Sequence, residues 1–353
     1  MTDKNFEAWE VKQSDYPVDA AMAERLRFLL RYAILAPSGP NTQPWKFAIN
    51  DCSISVYADL NRSLPHVDPS NRTLYMSVGC AIANLAIAAQ HFGFAVDTDF
   101  FPGGAGGDLS AGCDLVAEVN LRQKGEIAAP NPADKPALDL FSQITQRHTT
   151  KDRFEDEPLP AKDLQRILGC IDSPGLNLTV YDKKEDRDRL NDLVSRAHKT
   201  QLARKEFRKN LSQWLRSNNT TQPDGMPLYT FGVPDAVSLG FPAAFKWFDL
   251  SRAVIYRDSG LIYGCSALAV LATDSDDRQT WTKCGLDLER MLLLATALNV
   301  RASFFSQPIG HPDLREELKS FIPRGQPQLI FSLGRSRSMR PSPRRPLEDV
   351  ILK

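Results

Sequence analysis

Apolar residues recur at helical spacing over residues 21–35, with Met22, Leu26, Leu29, Leu30, Ala33 and Ile34 on one side. The pattern stops at Pro37-Ser38-Gly39-Pro40, a strong breaker. Residues 45–49 and 54–58 predict two short strands joined by the turn residues Asn50-Asp51. An apolar run over 75–92 predicts a long helix, closed by Gly93 in a left-handed C-cap. A strand-like stretch then leads to Phe101, a flexible glycine cluster follows (Gly103, Gly104, Gly106 and Gly107), and 113–121 alternates like another strand.

Residues 123–139 are rich in Pro, Ala and charge and read as a linker. This divides the chain into an N-terminal half, 1–125, a linker, 126–139, and a C-terminal half, 140–353. Within the second half, 203–250 is long, aromatic and turn-rich, and reads as an insertion rather than a core element. A weak internal repeat joins the halves. With Gly79 aligned on Gly285, Leu85 falls on Met291, Ala89 on Ala295, Gly93 on Asn299 and Pro102 on Pro308 at constant offset. Each copy is a helix, a C-cap residue able to take the left-handed conformation, and a strand ending before proline. The competing reading is a chance match of two amphipathic helices.

Composition narrows the function. Forty-three basic residues balance forty-three acidic ones, so no global field draws the chain to nucleic acid or an anionic membrane. The six cysteines are scattered without a CxxC pair or a Cys/His cluster, which argues against a metal site. The N-terminus lacks the apolar core of a signal peptide, and no stretch approaches the roughly 20 apolar residues of a membrane span. The expectation is a cytoplasmic protein.

Two segments carry chemistry. Residues 36–45 read Ala-Pro-Ser-Gly-Pro-Asn-Thr-Gln-Pro-Trp, and residues 147–154 read Arg-His-Thr-Thr-Lys-Asp-Arg-Phe. Arg147 and Lys151 are four apart, and such a pair suits a phosphate through charge-assisted hydrogen bonds; the competing reading is a solvated basic surface. The Pro37–Asn41 loop fixes a tight backbone path that lets amides and the Ser38 hydroxyl approach a flat polar ligand edge, with Asn41 supplying both donor and acceptor. An ordinary helix-ending turn would look similar. The histidines at 66, 91, 198 and 311 have no partner at any recognisable spacing, and no catalytic triad, carboxylate pair or P-loop emerges.

Together these segments resemble the signatures of the FMN-dependent nitroreductase family, R-[RH]-[ST]-x-[RK]-x-F and P-S-x-x-N-x-Q-P-W. The first is matched except for one extra residue, Arg153, before Phe154, and the second is matched at every named position. The basic segment follows the Pro-Ser segment by more than a hundred residues, the reverse of the family order. The arrangement resembles the fused, pseudo-dimeric Acg-like branch, also through Asp224-Gly225-Met226-Pro227, Ser306-Gln307-Pro308 and Gly334-Arg335.

The resemblance implies an α+β fold of two tandem nitroreductase-like halves, with one composite site for FMN. Its twin is lost, because Asp172-Ser173-Pro174-Gly175 is a degenerate loop. It implies phosphate contacts from Arg147, His148, Thr149 and Lys151, and ring contacts from Pro37, Ser38, Gly39 and Asn41. It also implies that a backbone N–H at Ser306 or Gln307 faces flavin N5, and that Arg335, and Arg344 and Arg345 of the returning arm, add cofactor contacts. No acid–base catalyst is expected where the cofactor does the hard step. The implied activity is hydride transfer from NAD(P)H to a nitroaromatic, quinone or similar acceptor, in a monomeric pseudo-dimer or a homodimer. Residues 203–250 would form an aromatic lid, and a lid that blocks turnover would instead make the chain an FMN store.

Overall fold

A computed structural model describes residues 4–104, 112–123, 139–171, 173–337 and 339–352. The expected linker, all but its last residue Asp139, lies outside these, as do Gly106, Gly107 and Asp172. The first half contains α1 (Met22–Ala33), β1 (Trp45–Ile49), β2 (Ser53–Asp59), α2 (Arg72–His91), β3 (Phe94–Phe100) and β4 (Cys113–Gln123). The second begins with α3 (Leu140–Gln143), α4 (Ala161–Leu168), β5 (Leu176–Tyr181), α5 (Lys184–Ala203) and α6 (Lys205–Ser212). It continues through β6 (Leu215–Arg216), β7 (Met226–Pro227), α7 (Asp235–Ser238), α8 (Phe241–Trp247) and α9 (Ser251–Tyr263). It closes with β8 (Ala267–Thr273), α10 (Arg278–Ala297), β9 (Arg301–Phe304), α11 (Pro312–Phe321) and β10 (Gln326–Gly334).

The two halves repeat one α+β design. Their antiparallel sheets run β1-β2-β4-β3 and β5-β8-β10-β9, so each strand has a counterpart in the same place. Both sheets slip register at the same step: β2 against β4 at Val56/Tyr57, and β10 against β8 at Pro327/Leu329. In each half a long helix leaves the second strand and returns to the sheet edge. Their C-caps are left-handed as expected, Gly93 at φ 85° and Asn299 at φ 57°.

Helices α2 and α10 form the joint. A Cβ on Gly79 would lie 1.9 Å from the Thr282 carbonyl oxygen, and one on Gly285 would lie 1.9 Å from that of Met76. Met76 and Thr282 are themselves counterparts in the repeat, so the contact is reciprocal, as across a two-fold axis. Tyr75 and Trp281, also counterparts, approach to 6.2 Å between rings. Backbones this close exclude any side chain between them. Helix α2 is apolar and long enough by composition to span a membrane, yet 83% of that stretch is buried here as a core helix.

The chain ends cross between halves. Phe47 on the edge strand β1 donates to the Val350 carbonyl at 2.8 Å and accepts from Leu352 at 2.7 Å, so the C-terminal tail covers that edge. Residues 203–250 are not a bare loop. They contribute α6, α7 and α8, and Phe207, Leu215, Leu228 and Phe245 form a small core of their own with Leu202.

Replacing Gly79 with Ala should therefore destabilise the protein by about 3 kcal/mol, the scale of overpacking a rigid contact. Urea denaturation measures this, and a midpoint within error of wild type would show that the helices are not locked at this point.

Candidate functional site

The Pro37–Asn41 loop and the cationic segment meet. Arg147 is 3% exposed, and its guanidinium donates to the Leu35 carbonyl at 3.2 Å, two residues before the loop. Its Nε lies 3.2 Å from Oε1 of Glu289 on α10, an ion pair by distance although the angle makes no hydrogen bond. Arg344, also 3% exposed, reaches the same place from the C-terminal arm. It donates to the carbonyls of Leu35 at 3.0 Å and Ala36 at 3.2 Å, and to Asn41 Oδ1 at 3.1 Å. Trp9 lies under that guanidinium at 4.6 Å. Two buried guanidinia thus share one buried carboxylate, and half-buried Arg301 stands near enough to be felt by Arg147's charge. Burial pulls Arg344 down to about 9, with the charge on Arg147 adding to the effect.

The loop itself is over-determined. Asn41 and Gln43 take positive φ, 62° and 51°. Asn41 N donates to Ser38 O at 2.7 Å, Gln43 N to Ser38 Oγ at 2.9 Å, and Thr42 Oγ1 to Gly39 O at 2.9 Å. A Cβ on Gly39 would stand 3.0 Å from Thr73 Cγ2 in the first turn of α2. The Asn41 amide, expected to serve a ligand, here donates to the carbonyls of Gly225 at 2.8 Å and Pro343 at 3.1 Å. Gln43 bonds Pro223 O at 2.8 Å and accepts from Arg345 N at 2.8 Å. Arg345 also donates to the carbonyls of Gln43 at 3.1 Å and Asp349 at 2.8 Å. Arg344 and Arg345 therefore clamp the loop, with their N–H groups directed at protein acceptors.

Residues 220–229 and the N-terminal segment close over this clamp. Asp224 pairs with Arg216 at 2.7 Å and with Arg62, which also bonds the Thr42 carbonyl. Gly225 at φ 76° allows the turn, where a Cβ would stand 2.7 Å from Trp214 O. Asn5 donates to Thr220 O at 2.9 Å, and Tyr229 OH donates to Pro341 O at 2.6 Å.

The remaining predicted residues spread outward. His148 turns Nδ1 to its neighbour's carbonyl and meets the Trp9 ring edge-on at 5.3 Å; burial pushes it down to about 4, so it is neutral. Thr149 bridges Ala302 beside β9. Lys151 donates to Phe304 O at 3.4 Å, and burial pulls it down to about 8 against the attraction of Asp258. Gln307 O accepts from Gln201 at 3.2 Å, and Ser306 O from Gly310 N at 3.3 Å. Arg335 turns to Glu157 at 3.5 Å, and a Cβ on Gly334 would strike the Phe154 ring at 2.6 Å, which anchors the basic segment on β10.

Several residues escaped the sequence reading. Asp258 holds His198, read as partnerless, at 2.8 Å; burial raises that carboxyl, but His198 and Arg257 outweigh it and hold it at about 2. The partners lie on separate helices, so spacing carries no sign of them. Glu289 is fully buried, and an acid within the apolar run of α10 was the available signal.

No protein-family profile matches the chain. It is 25% identical over 93% of its length to 91% of a Mycobacterium tuberculosis H37Rv protein named "Putative NAD(P)H nitroreductase Rv3131". It is 22% identical over 92% of its length to 95% of "Putative NAD(P)H nitroreductase acg" of the same strain. Among solved structures it is similar to a Desulfitobacterium hafniense nitroreductase with bound FMN, at 17% identity, a TM-score of 0.39, and coverage of 61% of this chain and 97% of that one.

Burial raises the Glu289 carboxyl from 4.5 to about 7, although Arg147 and Arg344 pull the other way. A carboxyl raised in the folded state stabilises folding fully below its ordinary value and loses that contribution as pH rises through its folded one. Stability should thus decline between pH 4.5 and about 7, and Glu289→Gln should flatten that decline. Urea midpoints across the window measure it; parallel curves would remove Glu289 as the titrating group.

Proposed function

We propose that this chain, which belongs with the nitroreductase-like proteins of the Acg branch, binds one FMN at the composite site and works as an NAD(P)H-dependent oxidoreductase. The observation that carries the reading is the excess of buried positive charge beside the Pro37–Asn41 loop. Arg147 and Arg344 have Glu289 as their common acid, and burying an unbalanced charge costs several kcal/mol unless an anion completes it. A phosphate group fits that donor set, and the Nε atoms of both arginines are buried without a hydrogen bond.

In this reading Arg147 and Lys151 hold the phosphate end, with His148 and Thr149 shaping the backbone between them. Pro37, Ser38, Gly39 and Asn41 border the ring. Arg344 holds that loop through its Nη atoms and keeps only its Nε for the phosphate, while Arg345 serves the loop alone. Ser306 and Gln307 present backbone to the site from the end of β9, steadied by Gln201. Arg335, turned toward Glu157, serves the arm more than the ligand. FMN, when bound, supplies a ring able to accept a hydride, and the protein contributes orientation, charge and exclusion of water. The acceptor class that suits such a site is a nitroaromatic or a quinone.

A second reading is favoured by the closed covering. With Asn41 and Gln43 bonded to Gly225 and Pro223, and Asp224 tied to Arg62 and Arg216, residues 220–229 act as a shut lid over the loop. A lid that stays shut makes the chain an FMN store.

Arg147→Ala should weaken FMN binding by about 2–3 kcal/mol, the scale of a hydrogen bond to a charged group. Fluorescence titration measures it, and unchanged affinity would remove Arg147 from the phosphate. Mixing the yellow holoprotein with NADPH or NADH in a stopped-flow instrument should bleach the flavin within seconds. Absorbance steady over minutes would decide for storage.

A further inference from the structure

Arg72 opens helix α2 and is 4% exposed, yet its guanidinium makes no hydrogen bond or ion pair among the described residues. Its counterpart in the repeat, Arg278, opens α10 and pairs with Asp114 at 2.7 Å. The strand registers show why the halves differ. Asp114 stands opposite Ala58, two pairs before the slip in the first sheet, and Gln326 stands opposite Thr273, two pairs before the slip in the second. An amide thus stands at the position equivalent to the acid, and Arg72 has no ion pair corresponding to that of Arg278.

The acids near Arg72 attract it without closing an ion pair. Asp68 accepts from Leu74 N at 3.2 Å, capping α2. Asp276 is held by Arg315 at 2.7 and 2.9 Å, by Trp281 at 2.7 Å and by Gln328 at 2.9 Å. Burial lowers the Arg72 guanidinium only to about 10, so it stays charged at neutral pH. Asp68 and Asp276 balance its charge through space, but a buried guanidinium without hydrogen-bond acceptors is costly and suits a ligand's oxygens.

Its position indicates which anion. Thr73, the next residue, packs on Gly39 of the Pro37–Asn41 loop. On the other side a Cβ on Gly310 would lie 3.1 Å from Val67 O, and Gly310 N bonds Ser306 O. Gln307 Oε1 is buried there without a partner. The segment 67–73, which leads into α2 and carries Arg72, therefore runs between the two loops assigned to the flavin. From this we infer that Arg72 recognises the electron acceptor by a planar pair of oxygens, the carboxylate of an aromatic compound. A guanidinium matches such a pair in bidentate fashion. The two nearby acids offset Arg72 and Arg315, so the local charge suits a single carboxylate rather than a phosphate dianion.

The inference rests on the flavin reading, and the test separates them. In the FMN-loaded protein, 4-nitrobenzoate should perturb the flavin absorbance at about tenfold lower concentration than neutral 4-nitrotoluene. Arg72→Met should abolish that preference and Arg72→Lys should keep part of it, with FMN affinity unchanged in both. A preference that persists in Arg72→Met, or that wild type lacks, would overturn the assignment. Urea denaturation tests the purely structural alternative. Arg72→Met should be no less stable than wild type, whereas Arg278→Met, which breaks an ion pair, should be less stable; equal losses would make Arg72 structural. A protein that stays colourless with added FMN would fail the flavin reading instead. Calorimetry with benzoate on that protein would then decide for Arg72, heat lost in Arg72→Met supporting it and no heat in wild type refuting it.

Discussion

The architecture depends on the close approach of α2 and α10. Gly79 and Gly285 each press against the backbone of the other helix, and the reciprocity of the two contacts makes the halves behave as subunits of a dimer joined in one chain. The joint also brings Glu289 of α10 to the Arg147 side of the candidate site. Arg147 reaches Leu35 because Glu289, on α10, stands beside the helix that leads away from the first half's loop.

Around that joint the protein has broken its own symmetry. One side keeps a full constellation: a proline–serine loop from the first half, cations from the second, and an arm from the C-terminus that bonds back to the loop. On the other side the corresponding loop is degenerate, and Ser173 N instead meets Asp287 of α10 at 3.2 Å. The divergence reaches the helix N-termini, where Arg278 has kept an acid and Arg72 has not. A true homodimer cannot vary one copy of a site alone, because each substitution appears twice; a fused chain can.

The covering over the site is a three-part interlock. Residues 4–10, 220–229 and 340–345 bond to one another and to the loop below, so none is held by its own sequence neighbours alone. Cooperative coverings of this kind open as a unit. The covering is fastened to the loop by the Asp224 ion pairs and the Asn41–Gly225 bonds rather than by the aromatic side chains of the insertion.

Local pattern in the sequence determined most of the elements. The helical run at 21–35, the strands at 45–49 and 54–58, the long helix and its left-handed cap, and the repeat that aligns Gly79 with Gly285 all rest on periodicity and on the backbone freedom of particular residues. The two motifs contain the loop and the arginine that meet, Pro37–Asn41 and Arg147, together with residues such as Lys151 that turn elsewhere. Only the tertiary structure decided what those residues touch. Glu289, Asn41 with Gly225, and His198 with Asp258 are separated by tens to hundreds of positions, and no spacing rule encodes such pairings. Whether a buried cation such as Arg72 or Arg344 has a partner depends on packing in three dimensions, because burial sets the strength of a charge interaction and distance along the chain does not.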